Sequence, residues 1–377
     1  MGSALSVVAV PLLAVETIHA SGAGVGLVRS VQTLPFLLLA MPIGWLADRT
    51  SRRRLMLIAD AVRAGLVAAV ALTALLGGLT MAGLVLLAGA AGVFTVMYEV
   101  AYLSALPALI DDAGDLPRAN RAVETAHASA SLAGPGAGGV LVGVLTAAGV
   151  LVLDALSFVA GAVLTAVNRW PDPSADRPGE PVRVRFTAGW TWLRHDPTVR
   201  ALTAYLAVNN LAAQAFQTAL LLLVTKSLGL PAAAYGFTVA AYGGGFLLGA
   251  AVSPAAARRF GTGPVVIAAA LTGAAGIAVV ATSGVLALII VGAAIAGAGP
   301  GMFNLHSIAV RQRLTPTALL GRVNALVKTV SYGASTLGAL AGGLAEPRLV
   351  IAAAAGLSAV AAALLARSVV RHLARDI

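Results

Sequence analysis

The sequence predicts an all-α membrane protein of about twelve transmembrane helices, arranged as two pseudo-symmetric six-helix bundles. Three observations carry that expectation. Of 377 residues, 59% are hydrophobic and 11% charged, with a mean hydropathy of +0.91, which leaves too little polar surface to clothe a soluble chain of this size. The apolar residues fall into a dozen runs, each long enough to cross most of a hydrocarbon core of about 30 Å. One stretch of the first half is also written again in the second.

The first run, 1–18, reads as a spanning helix and not as a signal peptide, because no Lys or Arg precedes it and many further spans follow. At about 1.5 Å per residue it barely crosses the bilayer, so a truncated or misassigned start is expected. Runs at 24–47, 55–76, 80–103, 122–146 and 148–167 complete a first bundle, 1–167. Residues 168–197, rich in Pro, Asp and Arg, form a cytoplasmic linker. Within it Phe186, Trp190 and Leu193 recur at helical spacing, which predicts a short amphipathic helix on the inner membrane surface. Runs at 198–226, 233–253, 263–281, 284–304, 320–345 and 348–368 make the second bundle, 198–377.

A formal net charge of +10 suggests nucleic acid until the basic residues are placed. Arg49, Arg52, Arg53 and Arg54, then Arg118 and Arg121, Arg258 and Arg259, and Arg311, Arg313 and Arg322 occupy alternate short loops. This is positive-inside bias, and it puts both termini in the cytoplasm. With no cysteine and five scattered histidines, disulfides, thiolate sites and metal clusters are not expected. No phosphate-binding loop or nucleophile constellation appears, so neither an enzyme nor a cofactor is expected.

The repeat sets 115–139 beside 319–343 without a gap. Arg118 matches Arg322, Asn120 matches Asn324, Thr125 matches Thr329, Ser131 matches Ser335, Gly134 matches Gly338, and Gly138 and Gly139 match Gly342 and Gly343. Such parallel repeats arise when two six-helix halves are related by an axis along the membrane normal. Glu124 corresponds to Lys328, an opposite charge at an equivalent place. Either the two pair when the inner mouth closes, or each snorkels to the interface independently.

The segment Gly44–Arg54, GWLADRTSRRR, with Gly44, Asp48, Arg49, Arg52 and Arg53 after a second span, resembles the signature loop of the major facilitator superfamily. Ser51 stands where that loop usually has glycine. The run 98–110, YEVAYLSALPALI, is similar to the superfamily's macrolide-efflux and siderophore-export branch, and the likeness covers nearly the whole chain. By that resemblance Asp48 faces the positive end of the eleventh span and steadies a closed inner mouth. AGPGAGG at 133–139, with Gly134, Pro135, Gly138 and Gly139, resembles the fifth-helix motif of the superfamily's antiporters. The bland alternative is close helix packing alone. The superfamily's frequent fourth-helix arginine has no counterpart here.

Polar stripes mark candidate cavity walls. Thr95, Tyr98, Glu99 and Tyr102 share a face of the fourth span, and Asn210, Gln214 and Gln217 a face of the seventh. Tyr235, Thr238 and Tyr242 line the eighth, and Asn324, Lys328, Ser331 and Ser335 the eleventh. Glu99 and Glu124 are the candidate proton carriers. Arg63 and Asp60, three residues apart, are expected to neutralise each other structurally, while Glu16, Arg29 and Asp154 are placed toward the outside. The reading is a monomeric secondary exporter in a bacterial cytoplasmic membrane. It moves a small hydrophobic or amphipathic compound, macrolide-like or siderophore-like, against protons by alternating access. An uptake permease on the same fold, or a non-transporting sensor or assembly factor, are the alternatives.

Overall fold

The computed structural model describes residues 2–105, 116–168 and 182–372, and among them all regular structure is helical. In chain order the helices are α1 (Gly2–Glu16), α2 (Gly22–Arg49), α3 (Arg52–Leu75), α4 (Met81–Ala105), α5 (Leu116–Val167), α6 (Val182–His195) and α7 (Pro197–Leu222), then α8 (Ala232–Phe260), α9 (Thr262–Thr282), α10 (Leu286–Leu314), α11 (Thr317–Ala341) and α12 (Pro347–His372). Among the described residues nine helical segments are long and apolar enough to cross a membrane, and α1 is a shorter apolar helix. The backbone of α5 leaves helical geometry at Thr146, with φ 65° and ψ 163°. That break falls where the apolar pattern separates two runs, so α5 is two helical limbs, of which Val144–Val167 is among the segments long and apolar enough to cross a membrane.

Local chemistry sets the hairpin ends. Ser51 caps α3 by accepting from the Arg54 amide at 3.2 Å, which gives a role to the residue that departs from the signature loop. Ser21 caps α2 through the Gly24 amide at 3.2 Å. Asp196 caps α7 through the Val199 amide at 2.8 Å, with Pro197 at the first helical position. Arg53 reaches the last carbonyls of α5, those of Thr165 and Ala166, at 3.1 and 2.7 Å. A cation at a helix C-terminus is favourable for the same reason that anions suit the start.

Packing repeats in the two halves. α1 packs on α5, α2 on α4, and α3 on α4 and α5; correspondingly α7 packs on α11 and α12, α8 on α10, and α9 on α10 and α12. The sequence repeat lands on equivalent contacts. Gly138 of α5 lies against Leu5 of α1, and its counterpart Gly342, at the end of α11, lies against Thr218 and Ala215 of α7. The halves meet through α2 with α11 and α5 with α8, again an equivalent pair. Large apolar side chains such as Leu38, Leu72, Leu164, Leu248 and Leu364 are exposed on the outside of the bundle, where lipid tails replace water as solvent.

α6 forms, but it is docked on the start of α11: Gly189 sits against the Arg322 backbone, and Leu193 is buried with Val323, Leu326 and Val327. Trp190 is exposed. The Phe186 side chain lies outside the described residues.

Candidate functional site

One end of the bundle carries the loop between α2 and α3, with its arginines; it is called here the basic end. At the opposite end α2 and α11 touch backbone to backbone. A Cβ at Gly22 would stand 2.6 Å from the Gly343 carbonyl oxygen, and one at Gly26 2.8 Å from that of Leu340. Toward the middle, Ser30 donates to the Thr336 carbonyl at 3.1 Å, and the Thr33 and Thr336 hydroxyls are 3.0 Å apart. The Phe36 and Tyr332 rings then stack with centroids 4.2 Å apart. Two cations bridge the halves here as well. Arg29 of α2 donates to the Tyr235 hydroxyl at 3.3 Å and to the Gln217 carbonyl oxygen at 3.5 Å. Lys226, on a π-turn at Leu223–Ser227 that ends α7, donates to the Ala20 carbonyl. Toward the basic end nothing approaches the Cα of Gly44 on the Cβ side within 4 Å, and Lys328 is exposed. The halves are sealed at the end opposite the basic one.

Below the seal lies a cavity of about 260 Å³. The first half supplies most of its wall, through Arg29, Gln32, Thr33, Arg63, Thr95 and Glu99, while Gln214 and Tyr332 enter from the second. Aliphatic side chains such as Val67 and Leu151 fill the rest. A mostly apolar surface with a few oriented donors and acceptors suits an amphipathic guest.

Behind this wall sits a buried charge cluster. Asp60 and Arg63 of α3 are 2% and 4% exposed and form an ion pair one turn apart, as the sequence predicts. The Arg63 guanidinium lies 4.6 Å from the Tyr98 ring centroid and 4.3 Å from that of Phe158. This aromatic clamp disperses its charge in a site with little water. Asp154 of α5 is completely buried and accepts from Ser6 of α1 and, at 3.4 Å, from Ser157. Arg63 acts electrostatically on Asp154 too. The sequence assigns Asp60 and Asp154 to opposite membrane faces; the length of the arginine side chain brings one cation within reach of both.

The predicted stripes divide. Thr95 and Glu99 face the cavity, whereas Tyr98 turns to Arg63 and stacks on Tyr102 at 6.0 Å. Gln214 faces the cavity, Gln217 holds Arg29, and Asn210 and Ser331 are half-buried beside them on α7 and α11. Tyr242 packs on Phe216, 6.4 Å between centroids. Arg49 lies over Trp45 of its own helix at 4.0 Å, Arg52 is half-buried, and Arg53 holds the end of α5. The side chains of Asp48, Glu124, Gly134, Pro135 and Gly139 lie outside the described residues; the chain is helical through 134–139. Sequence reasoning overlooks Gln32, Thr33 and Tyr332 as cavity residues. Their signal is the spacing from Arg29, three and four residues on along an apolar span, and the aromatic next to Ser331.

Comparison with known proteins agrees with this geometry. The family described as transmembrane secretion effector matches residues 1–375. The multidrug efflux pump Tap of Mycolicibacterium fortuitum is 29% identical over 353 residues, covering 92% of this chain and 86% of that protein. The crystal structure of a single-site mutant of the nucleoside transporter NupG superposes with a TM-score of 0.71 at 14% identity, over 97% of this chain and 95% of that one. The structure of NupG without that substitution gives 0.70. At such identity the likeness speaks for the fold alone.

Proposed function

This chain belongs to the transmembrane secretion effector family of the major facilitator superfamily, and from that premise we propose that it exports a small hydrophobic or amphipathic compound by proton antiport. The similarity to an efflux pump supports the direction. The observation that carries alternating access is the seal above the cavity, to which both halves contribute: Arg29 to Tyr235 and Gln217, Thr33 to Thr336, Phe36 to Tyr332. Residues 1–167 and 198–377 act as the rocking units about the linker 168–197, in a single copy of the chain. The basic end faces the cytoplasm with both termini, in a bacterial cell membrane, so the sealed end faces outward. In the opposite state Gly44, Asp48, Arg49, Arg52, Arg53, Glu124 and Lys328 close the inner mouth.

Two hydroxyls 3.0 Å apart across the seal make the test direct, because the chain has no cysteine of its own. In Thr33→Cys/Thr336→Cys, oxidation is expected to arrest ethidium export from a pump-deficient bacterium, and reduction to restore it. Export that continues with the pair cross-linked refutes alternating access at this seal.

A further inference from the structure

We propose that Asp60, Arg63 and Asp154 form the proton-carrying site of the transporter, with Asp154 as the group that gains and loses the proton. This rests on the antiport reading and replaces Glu99 and Glu124 as the carriers.

Two carboxyls and one guanidinium carry a net charge of −1 when all are ionised. All three are buried within the span of the bilayer, where an uncompensated charge costs several kcal/mol. One proton held between the carboxyls removes that excess. Asp60 is bonded to Arg63 directly and stays ionised as its partner. Among the described residues Asp154 has neutral hydroxyl donors, Ser6 and Ser157, at hydrogen-bond range, with Arg63 and the N-terminal amine acting from further away, so the proton resides there. Tyr98 of α4, which feels Asp60, Arg63 and Tyr102, supplies the face of its ring to the cation. Glu99 of α4 and Arg29 of α2 stand in the cavity wall. The other helix against α5, α8, brings its only charged residues, Arg258 and Arg259, in its last turn.

The geometry also gives a route. Asp154 is shut from the cavity, but Ser6 both lines the cavity and bonds to Asp154. When Asp154 is protonated its O–H donates to the Ser6 oxygen. On release the Asp154 O–H bond breaks as its proton passes to the Ser6 oxygen, the Ser6 hydroxyl gives its own proton to cavity water, and the new Ser6 O–H is left donating to the carboxylate. No atom moves except hydrogen. A hydroxyl relay of this kind lets a carboxyl with no exposed surface exchange protons with the side to which the cavity is open.

The test uses the full chain reconstituted in lipid vesicles, with infrared titration of the protonated-carboxyl band and ethidium export as two separate readings. The wild type is expected to show a protonated-carboxyl band that is lost as pH rises; Asp154→Asn lacks it and Glu99→Gln keeps it. Ser6→Ala, which leaves every carboxyl in place, moves the pH at which the band is lost. Export that a proton ionophore abolishes in the wild type is lost in Asp154→Asn and regained in Asp154→Glu. A band that persists in Asp154→Asn, or disappears in Glu99→Gln, overturns the assignment. Wild-type export indifferent to the ionophore, with the band behaving as expected, refutes the antiport reading and leaves the proton site standing. Ionophore-sensitive export in Asp154→Asn does the reverse.

Discussion

The helices before the linker and those after it share one arrangement and differ in what fills it. The first half buries Arg29, Asp60, Arg63 and Asp154 and supplies most of the cavity wall. The second is held by small residues: on α8 and α10, Gly245 lies against Ala294, Gly249 against Ala298, Gly297 against Tyr242 and Gly301 against Phe246, each with no room for a Cβ. Both pairs of glycines repeat at four-residue spacing, so two helix backbones meet along a continuous seam with dispersion as the cohesive force. One half is therefore specialised for charge and the other for rigidity, on a common scaffold.

That contrast can be broken at several points. Arg63→Ala leaves Asp60 buried without its cation and is expected to cost the first half about 3 to 5 kcal/mol, read as a large fall in the unfolding temperature in detergent. Asp60→Asn/Arg63→Gln, which removes both charges, recovers most of it; equal loss in the single and double variants denies that the pair is electrostatic. In the second half, Gly297→Val drives a side chain into the Tyr242 carbonyl, a cost of about 3 kcal/mol by overpacking. Wild-type thermal stability in that variant shows that the seam is loose. The smallest effect belongs to the seal. Arg29→Gln is expected to release about 1 kcal/mol of closure, roughly a fivefold shift in population, visible as faster maleimide labelling of Thr336→Cys; an unchanged rate assigns the seal to the glycine contacts alone.

Most of the scaffold was legible in the sequence because lipid demands long apolar runs and the gene repeats a motif. Gly138 and Gly342 fall on equivalent helix contacts, so the register read from residue types alone was physically meaningful. Asp60 and Arg63 were legible for the same reason, being local at i, i+3. Asp154 was not. Its partners, Ser6 and Arg63, are separated from it by 148 and 91 positions, and depth assigned by counting along a helix ignores the reach of a long side chain. The fourth-span stripe divides for a different reason: Tyr98 and Glu99 are one residue apart, about 100° around a helix, and Tyr98 lies against the Arg63 cation while Glu99 faces the cavity. The docking of α6 on α11 was equally hidden, since an amphipathic pattern states that one face will be covered but not by what.

That docking would make α6 part of the moving body if the halves rock as proposed. With Gly189 on Arg322 and Leu193 among Val323, Leu326 and Val327, a tilt of α11 would carry α6, and the exposed indole at Trp190 would travel with it. With Trp45, Trp170 and Trp192 replaced by Phe, the emission of this one indole would report such a stroke from the basic side without any added label.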